Sequence, residues 1–227
     1  MILAYHRINP WYGKDALSVT ADCLEKQIKY LLKKKFRPVS PYALSTTGLL
    51  DFLITFDDGY ADNLWYAIPV LKKFGITPVI FLTVDYIGSD HIFDRYRDKE
   101  KDRLLNWDEV KNMSGEGVVF GSHSLSHPRL TQIADDRLWI EISDSKKTIE
   151  DRTGKEVSFF CYPYGDFNEK VIEMVKKAGY KAAVVTAGVR KSVRDSAYTL
   201  SRIGIYGHNS FLAFRMKIWR YLLVEKR

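Results

Sequence analysis

The 227-residue chain holds only two cysteines, Cys23 and Cys161, far apart and without CxxC spacing. Neither a disulfide framework nor a cysteine-built metal knuckle is open to it, and both thiols are expected to be reduced. No apolar run reaches the length of a membrane-spanning helix. The opening MILAYHRI has no basic leader and no small-residue cleavage site, so the chain as written is expected to be soluble and intracellular, or exported if a leader has been trimmed. Internal repeats, low-complexity tracts and Pro/Gly/Ser linkers are also missing, which predicts one domain over residues 1–227. Concentrated basic charge is missing as well. The formal charge is +7, yet the lysines and arginines are interleaved with acids except toward the C-terminus, so nucleic acid is not an expected partner.

An apolar content of 46%, with 14% aromatic residues, suffices for a sizeable core. Short apolar runs at residues 2–5, 36–39, 52–56, 78–84, 117–121, 157–162, 182–186 and 200–205 alternate with helical-period segments. That rhythm predicts βα units around a parallel sheet, in a spacing suited to a barrel. The clearest helix is 135–153, with Leu138, Ile142 and Ile149 on one face and Gly154 as the stop. Further helices are expected at 23–34, 63–74, 107–114 and 168–178, the second bent at Pro69. The rhythm is interrupted at about 85–106, where DRYRDKEKDR (94–103) reads as a solvated insertion at the rim.

The stretch FLITFDDGYAD runs a buried strand into two adjacent carboxylates, Asp57 and Asp58, and then Gly59. An Asp-Gly turn alone would explain the glycine, but a helix and another strand follow. The pair therefore sits at the C-terminal end of a βα unit, where barrel enzymes carry their chemistry. Two carboxylates there favour a bound cation. Downstream, VVFGSHSLSHPRL delivers His123 from a strand end and His127 four residues later. In a helical turn closed by Pro128, positions i and i+4 share a face and the imidazoles converge. One carboxylate and two neutral imidazoles make a facial triad with positions left open for water and substrate, most suited to Zn2+ among divalent ions. The remaining aspartate is then a general base toward the metal's water. Residue type alone does not say which aspartate does which. A third segment, FFCYPYGDFN, places Pro163 and Gly165 around Tyr164, whose backbone N–H is a candidate oxyanion donor.

TFDDGY, SHSLSHPRL and YPYG, in that order, resemble the polysaccharide deacetylases of the NodB-homology type, carbohydrate esterase family 4. YHRI, NWDEV and LSRIGI extend the resemblance over most of the chain. It implies a distorted (β/α) barrel of about seven strands and metal-dependent removal of N-acetyl groups from an amino-sugar glycan. It also implies Asp57 as base, Asp58, His123 and His127 as metal ligands, and Tyr164 N–H as oxyanion donor. His6, at the end of the first strand, is expected near the substrate together with Tyr60, Trp107 and Pro163.

Two features depart from the pattern. Many members carry an arginine just before the Pro-aromatic-Gly of the third motif, where this chain has Cys161 and Tyr162; Arg202 in LSRIGI is the candidate replacement. The family's late acid histidine has one counterpart, His208 in YGHNS, at loose spacing, while His91 reads as a solvated residue of the insertion. Loss of both functions would leave a catalytically silent carbohydrate-binding or regulatory module, although a complete metal site beside a base argues for an enzyme. A glycosidase is disfavoured because its carboxyls must flank the scissile bond and come from separate strands as a rule. The C-terminal segment at about 209–224 combines large apolar residues with Arg215, Lys217 and Arg220. It reads as a helix packed on the domain, or as a basic interfacial helix on an anionic membrane.

Overall fold

The computed structural model describes residues 1–10, 16–46, 48–89, 103–185 and 197–225. His91 and most of the charged segment lie outside them, as do Thr186, Lys226 and Arg227. The elements are β1 (Ile2–Tyr5), β2 (Arg7–Ile8), β3 (Ser18–Val19), α1 (Ala21–Lys33), β4 (Arg37–Pro38), β5 (Asp51–Phe56), α2 (Ile68–Lys73), β6 (Val79–Leu82), α3 (Trp107–Gly115), β7 (Val119–Ser122), α4 (Asp135–Thr153), β8 (Phe159–Cys161), α5 (Glu169–Lys177), β9 (Ala182–Val184), β10 (Ile203–Gly204) and α6 (Phe211–Glu225). Each of the eight expected strands is present. The short parallel pair β2–β3 was not foreseen, because two residues carry no period to detect.

Seven strands pair in the order β10-β1-β5-β6-β7-β8-β9, all parallel, with β4 added beside β5. Leu200 bridges to Val184 of β9, and three residues later Ile203 and Gly204 pair with Leu3 and Ala4 of β1. The segment 200–204 thus spans the first and last strands, curling the sheet into a distorted barrel. Parallel strands covered on both faces should be apolar throughout, and β5 is buried along its whole length.

Alternation along the strands builds two cores. Ile2, Leu53, Val79, Phe81, Phe159, Cys161, Ala182 and Val184 form a small inner cluster. The larger outer cluster joins the opposite strand faces to helices, for instance through Leu138, Ile142 and Ile149 of α4. Local signals set the helix limits. Asn106 and Glu109 form a capping box at α3, the Asn168 side chain accepts from Val171 N–H at α5, and α4 ends on left-handed Gly154. The helix containing Pro69 does not simply bend. Residues Asn63–Ala67 form a π-turn in which Ile68 N–H reaches back five residues to Asn63 O, and α2 follows. Proline has no N–H to give to the carbonyl four residues back, and the wider turn absorbs that loss.

Gly121 marks the tightest point of the inner wall. A Cβ there would stand 2.5 Å from Phe81 Cδ1 and 2.9 Å from Phe159 O. Gly121→Ala should therefore cost about 1–3 kcal/mol by overpacking. The check is urea denaturation, with the midpoint falling at unchanged slope; an unmoved midpoint would mean that the wall yields freely.

Candidate active site

β5 carries its apolar run to the mouth of the barrel, where Asp57 N–H continues the ladder by donating to Tyr5 O at 3.0 Å. The chain then turns through two successive left-handed residues, Asp58 (φ 73°) and Gly59 (φ 80°). Side chains do not easily adopt that region. Its effect is to separate two adjacent carboxylates so that each meets different partners.

Asp57 faces Arg202. The guanidinium grips both carboxylate oxygens, Nη1 to Oδ1 and Nη2 to Oδ2, each at 2.7 Å. Arg202 also donates to Val185 O and Thr55 Oγ1, and its Nη2 lies 3.1 Å from Cys161 Sγ. Burial pushes the Asp57 carboxyl up, but the charge and hydrogen bonds of Arg202 outweigh it and hold the group below the ordinary carboxylate range. His6 Nε2 stands 3.9 Å from Asp57 Oδ2.

Asp58 faces the two histidines. Its Oδ1 lies 3.6 Å from His123 Nε2 and 3.7 Å from His127 Nε2, and the two Nε2 atoms are 3.2 Å apart. Ligand atoms bound about 2.1 Å from one ion sit about 3.0–3.4 Å from each other, so this triangle has the size of one face of a coordination shell. His123 Nδ1 donates to Cys161 O at 2.7 Å. That bond fixes the tautomer and leaves Nε2 with its lone pair toward Asp58. Burial pushes the His123 pKa down to about 4. Burial and then the neighbouring His123 push that of His127 down to about 2. Both rings are neutral at physiological pH, the form a metal requires. Asp57, His123 and Cys161 also cluster, but Asp57 is occupied by Arg202 and burial raises the Cys161 thiol's pKa. The residues fit a cation at Asp58, His123 and His127.

No helical turn brings the histidines together, contrary to the expectation from their spacing. A loop does so, with Ser124 (φ 68°) and His127 (φ 59°) left-handed. Its polar groups are answered locally. Ser122 Oγ accepts from Ser124 N–H, and Ser124 Oγ accepts from His127 N–H. The fully buried Glu141 of α4 accepts from Leu125 N–H, Ser126 N–H and Ser126 Oγ at 3.0, 2.9 and 2.6 Å. Glu141 was missed in the sequence, although a carboxylate among Leu138, Ile142 and Ser145 on the inward face of α4 is a readable signal.

Tyr164 is left-handed too (φ 57°), between buried Pro163 and Gly165. The bonds closing this turn come from Gly165 N–H to Tyr162 O and Asp166 N–H to Pro163 O, not from Tyr164. Its ring stands edge-on to His127 at 4.6 Å, with the Arg129 guanidinium 4.6 Å over its face. Of the five non-glycine residues with positive φ among those described, Asp58, Ser124, His127 and Tyr164 surround this mouth.

Other expected residues lie elsewhere. Tyr60 is buried in a small cluster with Leu104 and Tyr86, its ring beside Arg7. Trp107 opens α3 just after the capping-box residue Asn106, and its ring meets the Arg152 guanidinium of α4 at 5.3 Å. His208 is exposed and stacks on Tyr206 at 5.7 Å. Among the described residues no contact joins it to Asp57, Asp58, His123 or His127. Tyr206, which sequence reading passed over, is half-buried; burial and then the Asp57 charge raise its phenol's pKa.

A family model for polysaccharide deacetylases matches residues 49–183. The Bacillus subtilis (strain 168) protein YxkH, whose name places it provisionally among polysaccharide deacetylases, is 30% identical over 220 residues, covering 94% of this chain and 74% of that one. The peptidoglycan-N-acetylmuramic acid deacetylase PdaA of the same strain is 28% identical over 158 residues, covering 69% of this chain and 52% of its own. Among solved structures, the Bacillus cereus polysaccharide deacetylase BC0361 superposes with a TM-score of 0.76 at 25% identity, covering 96% of this chain and 68% of that one. The Streptococcus pyogenes deacetylase PplD shares the fold, with a TM-score of 0.78 at 23% identity and 96% coverage of both chains.

Two outcomes follow from the geometry. Arg202→Ala leaves Asp57 buried without the guanidinium that holds its carboxyl down, so its pKa rises. A base must be deprotonated, so the acid limb of the kcat/KM profile should move to higher pH and kcat should fall by about 10²-fold or more. An unmoved limb would separate Asp57 from the titration. Glu141→Gln should loosen the histidine loop and weaken divalent-metal affinity by about tenfold in calorimetric titration, with little change in kcat at saturating metal.

Proposed function

The chain belongs to the polysaccharide deacetylase family, and on that premise we propose that it is a metal-dependent hydrolase removing N-acetyl groups from an amino-sugar glycan, with acetate as the second product. The observation that carries the reading is the pairing at one barrel mouth of a metal-sized Asp58–His123–His127 triangle with a separate, ionised Asp57. We take zinc as the occupant, because two neutral imidazoles and one carboxylate suit it. Such an ion supplies Lewis acidity toward the acetamide carbonyl and lowers the pKa of a water.

The chain's own groups supply the rest. Asp57, oriented by Arg202, takes the proton of the attacking water. Because Arg202 holds both carboxylate oxygens, Asp57 stays ionised without itself serving as a ligand. The Tyr164 N–H, unused by its own turn, donates to the carbonyl oxygen as negative charge develops there. Departure of the amine requires a proton, for which His208 is the counterpart in sequence and Tyr206 the nearer phenol to the Asp57 charge. Tyr164's ring, 41% exposed at the rim, offers an apolar face beside His127 for a sugar. The silent-module alternative rested partly on a missing arginine, and Arg202 at 2.7 Å from both Asp57 oxygens removes that ground.

Metal-stripped protein incubated with an N-acetylated amino-sugar oligomer should release no acetate, and Zn2+ should restore release without new reducing ends. Asp58→Ala and His127→Ala should lose both metal binding and turnover. Asp57→Asn should keep metal affinity while losing about 10²–10⁴-fold in kcat. Tight metal binding with no acetate from any N-acetylated glycan would sink the hydrolase reading.

A further inference from the structure

The last helix carries two apolar faces, and only one is used by the fold. Phe214 and Ile218 of α6 are buried. Phe211 and Phe214 pack edge-on against Tyr30 of α1, at 5.7 and 6.1 Å between ring centres. Lys217 is turned inward as well, donating to Gly204 O and Asn209 Oδ1, both at 2.6 Å. These contacts seat the helix firmly on the barrel wall. Around the cylinder from that seam, Leu212, Met216, Trp219 and Leu223 are 62, 62, 64 and 47% exposed. Their spacing of four, three and four residues puts them on one narrow stripe about 17 Å long. Large apolar side chains concentrated in this way mark a contact surface rather than ordinary scatter.

The charges beside the stripe identify what it meets. Arg215 and Arg220 are exposed and fall on its two sides. Among the described residues neither is in an ion pair; Arg215 lies over the Tyr30 ring at 5.7 Å. No acidic residue occurs between Phe211 and Leu223. Exposed Lys26, Lys33 and Lys34 of α1 and its cap add three cations against one exposed acid, Asp22, with Lys26 over the Phe211 ring at 4.5 Å. A second copy of the chain docked stripe to stripe would set Arg215 and Arg220 against their equivalents, with no carboxylate between Phe211 and Leu223 of either copy to answer them. A surface that accepts apolar side chains and is itself negative fits both features at once.

We infer that the outer face of α6 is a docking surface for an anionic lipid bilayer. Leu212, Met216, Trp219 and Leu223 enter the acyl boundary, while Arg215, Arg220 and the lysines of α1 lie at the headgroups. No described helix is long and apolar enough to cross a membrane, so the attachment is peripheral. It depends on charge and therefore on salt. None of the four stripe residues enters the catalytic reading, and the inference stands apart from that reading.

The test is co-sedimentation of the full chain with vesicles of phosphatidylcholine alone and with about one-third phosphatidylglycerol, at low and high salt. Binding should require the anionic lipid and weaken at high salt. Met216→Glu with Trp219→Glu should lower the partition coefficient by at least about tenfold, with the melting temperature and acetate release from a soluble oligosaccharide unchanged. Absence of binding to the anionic vesicles would overturn the inference, as would binding indifferent to the double substitution. A dimer in light scattering that the same substitution dissociates would also overturn it, by making a second copy the occupant.

Discussion

A single buried ion pair organises the mouth of this barrel. Arg202 and Asp57, 145 residues apart in sequence, flank β10 and β5 and meet with almost no solvent. Taking two charges out of water is costly, and removing one partner of such a pair leaves the other uncompensated at about 3–5 kcal/mol. The cost is met by saturation. The guanidinium also reaches Val185 O and Thr55 Oγ1, and the Cys161 sulfur lies against it. Below it the barrel is filled with apolar side chains, with Phe81 5.6 Å beneath the guanidinium. The polar layer cannot sink into that floor, and the floor excludes water from beneath the layer.

The second layer of organisation is backbone strain spent locally. Asp58, Ser124, His127 and Tyr164 hold a conformation that each would avoid in isolation. Ser124 and His127 are fixed by neighbours that answer the polar groups of their loop, above all the Glu141 carboxylate beneath it. The rigid elements thus deliver the side chains to the mouth, and the strained residues turn them toward one another. Neither part makes the site alone.

Much of this was legible in the residues. Eight strands and the 135–153 helix follow from periodicity and Gly154, because a parallel sheet buried on both faces leaves unbroken apolar runs. His123, His127 and one of the adjacent pair Asp57 and Asp58 were legible as a donor set from residue type and position after strands, and only the family resemblance pointed to Asp58. What the residues did not reveal is orientation. Asp57 and Asp58 are chemically identical, and their partners differ because of one left-handed turn. The histidines were expected on a helical turn and are brought together by hydrogen bonds from serines and a glutamate of another helix. Trp107 and Tyr60 look like mouth residues by adjacency to motifs, and their rings are engaged by Arg152 of α4 and by Leu104 and Tyr86. Arg202 was recognisable only as a candidate, since its reach depends on how the last strand closes the sheet.

That closure has a bearing on how the molecule comes into being. The segment 200–204 is the final strand-forming stretch, and it both joins β9 to β1 and supplies the guanidinium. Asp57, Asp58, His123, His127 and Tyr164 all precede Arg202 in the chain. Until the seam is sewn, Asp57 sits in an apolar, unfinished barrel without its counter-charge, where protonation is the cheaper state. Closing the sheet and ionising Asp57 are therefore one event, since the pairing that joins β9 to β1 also brings the charge that the carboxylate answers.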